Sequence, residues 1–570
     1  MHIVIDDAGD DVRAVIIDPS GAERARHTVP SGEWPDFVRH WESEKPRWTW
    51  DRTDRWYPRL LAAGLRIARC LDLHTAGVAI DRSIHRADAA QALDDPALWA
   101  EERLEQADPD RVELFSIFAE SDALARFHEL DARIRTSREP ERLRLLAIAE
   151  STGTLIAAEI KYDGLPWDLT EHDRVLRERL GPRPAFGGPP ARMDALGRDI
   201  RSILGRPELN PDSPQDLLRA LRGAGLAVES TSKWELAALD HPVIAPVLAY
   251  KSMHRLLTAH GWHWADTWVR GGRFRPEYVP GGAWTGRWTS RGGGALQIPA
   301  VVRGAVSADT GWTLVVADAA QVEPRIIAAM SADPHMAAAG QASDLYQALV
   351  DRGVVAERDQ AKIAMLGALY GATTGESAKL LPRLRQAYPR ALALVDDAAA
   401  TGERGGQVHS WLGRTSPPPS AEWRALQSAA AAEGASTALT AQARQRAREW
   451  GRFTRNFIAQ STAAEWALCW LGGIRARLAA LGGPAQAHLV YFLHDEIIVH
   501  CRIEQADAVA AIVREAATEA GRMLFGTFPV DFPLTVATAR SYADAGKGAG
   551  APVPDDRRLP EPGAASNTPR

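Results

Sequence analysis

The spacing of apolar positions changes along this chain, and each change predicts a different element. Thr313-Leu314-Val315-Val316-Ala317 is a continuous apolar run, which predicts a buried strand ending at Asp318. The following AAQVEPRIIAAM carries helical spacing, with Pro324 tolerable only near the first turn. Two more apolar runs, Leu489 to Leu493 and Ile497 to Cys501, flank His494-Asp495-Glu496 and predict a β-hairpin with those three residues at its turn. RDQAKIAMLGALYG (Arg358 to Gly371) predicts a helix on which Arg358, Lys362, Leu366 and Tyr370 stand four apart. At about 100° per residue each step turns by about 40°, so the four share a stripe. Arg452, Asn456 and Gln460 repeat that spacing on a second helix in RFTRNFIAQSTAAEW.

Elsewhere the pattern divides the chain. HIVI and RAVIID predict short strands joined by a turn, and PRWTWD, a helix from about Asp54 to Ala63 and ARCLDL follow, so the first hundred-odd residues predict a separate α/β unit. Glu150 to about Tyr250 is helix-rich, with LNPDSP as a loop and helix N-cap. From Ala545 onward the chain is rich in Gly, Pro and Ala, which predicts a disordered tail. A chain of 570 residues exceeds a single core, so several domains are expected.

Composition adds exclusions. The hydrophobic fraction of 45% and the charged fraction of 25% are ordinary for a globular protein. The net charge of -6 advertises no global polycation. Locally, however, Lys251, Arg255, Arg270, Arg273, Arg275, Arg287, Arg291 and Arg303 face only Asp266 and Glu277 within that stretch, a candidate phosphate-facing surface. Cys70, Cys469 and Cys501 have no metal-type spacing and predict no disulfide framework. MHIVIDDAGDD turns acidic too early for a signal peptide, and no apolar run is long enough to span a membrane, so a cytoplasmic location is expected.

The candidate chemistry lies in the segments named first. Asp318 and Asp495 are carboxylates at the ends of buried strands, far apart in sequence and brought together if the hairpin pairs beside the first strand. Two such carboxylates suit Mg²⁺, which takes oxygen ligands and is completed by water and substrate phosphates. Two metal ions about 3.5–4 Å apart stabilise both the attacking and the leaving oxygen of a phosphoryl displacement. Arg358 and Lys362 offer cations to a triphosphate, and Tyr370 offers a ring to a base. Gly367 and Gly371 remove side chains where a nucleotide needs room. Arg452, Asn456 and Gln460 can donate to minor-groove acceptors or phosphates. The Trp262-His263-Trp264 cluster is read as packing rather than as a base-stacking surface.

These residues resemble the polymerase module of family A DNA polymerases, the bacterial DNA polymerase I group. The family's D-Y-S-Q-I-E-L-R stands here as Asp318-Ala319-Ala320-Gln321-Val322-Glu323-Pro324-Arg325. Its R-x3-K-x7-Y-G is matched by Arg358, Lys362, Tyr370 and Gly371, and its V-H-D-E by Leu493-His494-Asp495-Glu496. TGRWTS (Thr285 to Ser290), LQIP (Leu296 to Pro299), QSTAAE (Gln460 to Glu465) and LNPDSPQDLLRAL (Leu209 to Leu221) are similar to further family motifs.

The resemblance implies an α+β right-hand polymerase, preceded by a small α/β exonuclease-like domain. The implied segments are that domain with a connector at 1–149, thumb at 150–250, palm at 251–330 and 451–544, fingers at 331–450 and a tail at 545–570. It implies that Asp318 and Asp495 bind two Mg²⁺ ions, with Mn²⁺ as a substitute. Arg358 and Lys362 would hold the triphosphate of a dNTP, Tyr370 would stack near the templating position, and Gln321 and Leu366 would border the nucleotide. Glu323 would exclude a ribose 2′-hydroxyl. Arg287, Arg452, Asn456 and Gln460 would track the primer-template, and His494 and Glu496 would support the primer terminus and metal site. The implied protein is a monomer active on DNA in repair or gap filling.

Several residues depart from the family pattern. Ala319 stands where a tyrosine is usual, Tyr346 where a phosphate-contacting histidine is usual, and Leu366 where an aromatic is usual. The N-terminal domain has no D-x-E between Ile3 and Asp18, and Asp51 and Asp72 are read as surface charges, so proofreading is not expected. The chain is also too short for a 5′-nuclease domain ahead of it. Two other classes share parts of the pattern. A phage-type single-subunit RNA polymerase shares the basic helix and both aspartates, but Glu323 argues against it. A non-catalytic DNA-binding relative would have no reason to keep Asp318, Asp495, Arg358 and Lys362 together.

Overall fold

The computed structural model describes residues 1–99, 122–185, 187–294, 296, 298–341, 344–371 and 375–545, with the backbone alone for 375–378. The tail read as disordered lies outside these residues except for Ala545. The fold is α+β and divides into two compact units: residues 1–163, 277–291 and 315–536 form one, and residues 164–276, 292–314 and 537 onward form the other. The described residues of the N-terminal α/β segment fall in the same compact unit as residues 315–536.

In the first unit, strands β1 (His2–Ala8), β2 (Asp11–Ile17), β3 (Glu23–Pro30), β4 (Arg47–Trp50) and β5 (Arg69–Asp72) form a sheet in the order β3-β2-β1-β4-β5. β1 runs antiparallel to β2 and parallel to β4. Helices α1 (Trp34–Glu42) and α2 (Thr53–Ala62) bury Trp34, Trp56 and Tyr57 against Trp48 and Trp50 of β4. Asp51 and Asp72 are not surface charges: both are buried. Asp72 accepts from the backbone N–H of Thr53 at 2.7 Å and of Thr75 at 2.8 Å, capping helix α3 (Leu73–Asp81) and serving the start of α2. Asp51 accepts from the Trp56 indole at 2.6 Å. An unpaired N–H at a buried helix start is costly, and Asp72 satisfies one such group on each of two helices.

Helix α4 (Pro140–Asp163) is buried on several sides because the N-terminal sheet and a long helix of the same unit both pack on it. The close approach requires Gly153, where an added Cβ would lie 2.8 Å from Leu468 Cδ2. At one end, Arg475 of the long helix reaches into the N-terminal layer. It donates to both Glu159 oxygens, at 3.0 and 2.7 Å, and to the carbonyls of Ala68 at 3.0 Å and Ile67 at 2.6 Å. Tyr57 also donates to Glu159, and Arg66 binds Asp163 at 2.6 Å. Burial pulls the Glu159 carboxyl up, but the Arg475 and Arg66 charges outweigh it and hold the group ionised.

Further along α4, Glu150 pairs with Arg414, both buried, and Glu465 lies nearby. Glu465 accepts from Ser410 Oγ and, at 3.0 Å, from the Leu412 N–H. Burial pushes its pKa up to about 7. The folded protein thus retains a proton that the unfolded chain releases near the ordinary glutamate value of 4.5. Stability falls as pH rises through that window, by about 3 kcal/mol at about 1.4 kcal/mol per pKa unit. Glu465→Gln is expected to unfold at a higher temperature than the wild type at pH 8 but not at pH 5. Equal differences at both pH values in thermal unfolding would refute this assignment.

The second sheet of this unit contains β6 (Trp312–Ala319), β7 (Ala487–Leu493), β8 (Glu496–Arg502) and β9 (Leu534–Ala539), in the order β7-β8-β6-β9. β6 and β9 each begin in one compact unit and end in the other. The same unit also holds α5 (Val322–Ser331), α6 (Leu345–Asp351), α7 (Arg358–Tyr370), α8 (Pro389–Glu403), the 44-residue α9 (Thr437–Ala480) and α10 (Ala506–Phe525), of which α9 and α10 pack on the sheet.

The second unit is mainly helical. Ser213 caps the helix Pro214–Gly223, accepting from Asp216 N–H at 3.2 Å, with Pro214 in the first turn. Trp262 and Trp264 are buried, the latter donating to Gly293 O at 2.7 Å, in keeping with packing. Part of the basic stretch is occupied: Lys251 donates to Thr231, Arg273 pairs with Asp309, and Arg303 lies over the Tyr542 ring. Among the described residues no helix is long and apolar enough to cross a membrane.

Candidate active site

Strand β6 carries Asp318 at its penultimate position, half-buried behind the core residues Leu314 to Ala317. The β7–β8 hairpin turns at His494-Asp495, and Leu493 pairs with Glu496. The Ala319 N–H donates to the Asp495 carbonyl at 2.9 Å, which ties the residue after one aspartate to the backbone of the other. His494 and Gln321 both adopt left-handed backbone, with φ of +54° and +57°. Neither is glycine, so each conformation carries strain that surrounding contacts must hold. For Gln321 those contacts are visible. Its amide donates to Asp344 Oδ1 at 2.8 Å, and its carbonyl accepts from the Leu345 N–H at 2.9 Å.

A cavity of about 350 Å³ opens beside the hairpin turn. Its walls include Arg287, Gln321, Glu323, Leu366, Tyr370, His494 and Asp495 from the sequence analysis. They also include Trp288, Pro324, Tyr346, Phe492 and the Ala463–Leu468 face of α9. Glu323 bridges two of these walls: one oxygen accepts from the Tyr370 hydroxyl and the other from the Arg287 guanidinium. Partial desolvation and the Arg287 charge lower the His494 pKa.

The remaining residues lie outside this lining. Asp318 and Glu496 flank it on β6 and β8. Arg358 and Lys362 are exposed on the first turns of α7, and Lys362 has no ion pair among the described residues. Arg452 is exposed, Asn456 and Gln460 are half-buried, and Asn456 Oδ1 is buried with no hydrogen-bond partner among the described residues. An orphaned amide oxygen is costly unless a ligand or water meets it. Gly371 has a backbone reason to be glycine. It ends α7 with φ of +74°, and a Cβ there would meet Arg452 Cγ at 3.3 Å.

Sequence reasoning missed the hub at Asp344. Its Oδ1 caps α6, accepting from Tyr346 N–H at 2.9 Å and Gln347 N–H at 3.3 Å, and also takes the Gln321 bond. Its Oδ2 accepts from Arg358 Nε at 2.6 Å. Burial raises the Asp344 pKa, but the Arg358 and Gln321 hydrogen bonds outweigh it and hold the carboxyl below its ordinary value. The only local signal was Asp344 standing where an N-cap belongs.

The donor set fits Mg²⁺. Asp318 and Asp495 supply hard carboxylate oxygens, and no cluster of three or more His, Cys, Asp or Glu able to hold a metal occurs among the described residues. Two carboxylates suit an ion that takes the rest of its shell from water and phosphate.

Comparison with known proteins places this geometry. The profile of DNA polymerase family A matches residues 190–544. DNA polymerase I, thermostable, of Thermus aquaticus is 25% identical over 421 residues, covering 69% of this chain and 43% of that protein. DNA polymerase I of Chloroflexus aurantiacus is 26% identical over 356 residues, covering 58% and 35%. The chain thus spans under half the length of these curated relatives. Among solved structures, the POL domain of Pol1 from M. smegmatis, in complex with DNA primer-template and dNTP, superposes with a TM-score of 0.66 at 18% identity, covering 94% of this chain and 93% of that one. The fold is accordingly the right-hand polymerase fold, compatible with a small N-terminal α/β domain. With the family profile spanning well over half of its residues, this chain belongs to DNA polymerase family A.

Proposed function

We propose that this chain is a DNA-templated DNA polymerase that joins a dNTP to the 3′-hydroxyl of a primer. The observation that carries the reading is the 2.9 Å backbone bond from Ala319 to Asp495, which ties the two aspartate-bearing segments together at the mouth of a nucleotide-sized cavity. Asp318 and Asp495 hold Mg²⁺, with Mn²⁺ able to take its place, and Glu496 borders them. Bound there, two ions would stabilise charge on the attacking and leaving oxygens. Arg358 and Lys362 neutralise the triphosphate, while Gln321, Leu366 and Tyr370 border the nucleotide. Glu323 occupies the space that a ribose 2′-hydroxyl would need. Arg287, Arg452, Asn456, Gln460 and His494 hold the primer-template. The thumb, palm and fingers boundaries are those given from sequence, the protein acts as a monomer in the cytoplasm, and its task is repair or gap filling without proofreading. The engagement of Asp51 and Asp72 by helix starts and an indole supports the last point.

A primer-extension assay with dNTPs, rNTPs and a mismatched 3′ end, in Mg²⁺, tests the reading. Extension with dNTPs and no loss of the mismatched nucleotide is expected. Extension with rNTPs alone would indicate an RNA polymerase, and DNA binding without extension a non-catalytic relative. Excision that survives Asp318→Ala would overturn the absence of proofreading.

A further inference from the structure

The geometry points to Asp344 and Tyr346 as a clamp that orients Arg358 for the incoming triphosphate, with Asp344 acting as a positioning residue. The proposal deepens the polymerase reading above and rests on it. Arg358 is the first residue of α7, where a cation is poorly placed because the helix dipole presents positive charge there. Two neighbours compensate. Asp344 Oδ2 takes the Nε–H at 2.6 Å, and the Tyr346 ring lies 5.8 Å from the guanidinium carbon. Only Nε is engaged by Asp344, so the two terminal nitrogens remain for a ligand. No other ion pair of Arg358 occurs among the described residues, and its side chain is 49% exposed.

A guanidinium held at one edge and against one face has lost most of its rotational freedom before ligand arrives. Its terminal N–H pair then meets a phosphate in a fixed orientation, with the α7 N-terminus reinforcing the attraction. The clamp is also tied to the catalytic strand. The same carboxylate holds Gln321 through Oδ1, and Gln321 is the strained residue that joins β6 to α5. The hydroxyl-bearing ring of Tyr346 lines the cavity itself, so it borders the triphosphate as well as supporting Arg358.

The division of labour between the two Asp344 oxygens allows a clean test. Oδ1 carries the helix cap and the Gln321 bond, and Oδ2 carries Arg358. Asp344→Asn keeps an Oδ1 acceptor and caps a helix as well as aspartate does, so only the Arg358 bond is lost. Two readouts are needed: equilibrium dialysis of dATP in Mg²⁺, which needs no turnover, and steady-state extension. For Asp344→Asn we expect dATP affinity to fall and KM to rise about tenfold, with kcat within about twofold and an unchanged thermal midpoint. In an Arg358→Ala background the same substitution should add nothing. Tyr346→Leu, which removes the ring, should weaken dATP severalfold, and Tyr346→Phe, which keeps the ring against the guanidinium, should weaken it less than Tyr346→Leu. Unchanged dATP affinity in Asp344→Asn overturns the clamp, as does an effect that persists without Arg358. Wild-type protein that binds dATP but extends no primer overturns the polymerase reading while leaving the clamp measured.

Discussion

Replacing Asp318 or Asp495 by alanine is expected to lower primer extension by about 10³-fold or more, since in the proposed mechanism each carboxylate supplies several kcal/mol of transition-state stabilisation through a bound metal. DNA affinity should stay level or tighten slightly. Most of it comes from phosphate contacts with Arg and Lys, and removing an anion beside the primer cannot weaken those. Asp318 lies on a strand backed by fully buried residues, so alanine there leaves the sheet intact. Asp495 is exposed at the hairpin turn, and its carbonyl, not its side chain, holds the Ala319 N–H. Both variants should therefore fold. Single-turnover extension and fluorescence anisotropy on the same DNA separate chemistry from binding. Normal extension by both variants would remove the metal assignment.

Glu323→Ala is expected to lower the preference for dNTP over rNTP by about 10²-fold or more, the scale on which a filled pocket rejects an added group. The carboxylate is fixed at both ends, by the Tyr370 hydroxyl and by Arg287. A side chain pinned in this way cannot swing aside for a ribose hydroxyl. Alanine removes the bulk and also releases Tyr370 and Arg287, so the KM for dNTP should rise as well. Glu323→Gln separates the two effects. It keeps the volume but loses the charge on Arg287, so sugar selection should persist while KM rises. Competitive incorporation of dCTP and CTP gives the ratio directly. A ratio untouched in Glu323→Ala would mean that another residue faces the sugar.

The elements that carry the candidate site were legible because each has a simple period. β6 is a continuous apolar run, the β7–β8 hairpin is two runs around a polar triplet, and α7 repeats every four residues. What escaped was whatever depends on partners distant in sequence. β3 reads ERARHTVP and is mostly exposed at the sheet edge, so its apolar signal is weak. Asp51 and Asp72 look like any surface acids until α2 and α3 present backbone N–H groups to Asp72 and the Trp56 indole meets Asp51. The bond between Asp344 and Arg358 has no sequence signal, since it requires two helices to be placed. Gly371 reads as clearance for a ligand, and its left-handed turn and the nearness of Arg452 are further reasons for glycine that sequence does not show. Periodicity reports which face is buried and says nothing of which polar groups meet across the fold.

The Arg475 network gives the N-terminal layer a use independent of any nuclease chemistry. Arg475 sits on the same continuous helix as Arg452, Asn456 and Gln460, and it is anchored by Tyr57, Ile67 and Ala68 through bonds that only the first 70 residues provide. That layer therefore works as a splint, bracing the far end of the rod whose other portion faces the cavity. A shortened chain beginning at Glu150 would keep every residue assigned to the reaction. It would also leave a buried guanidinium without its carbonyl acceptors and uncover the apolar flank of α4.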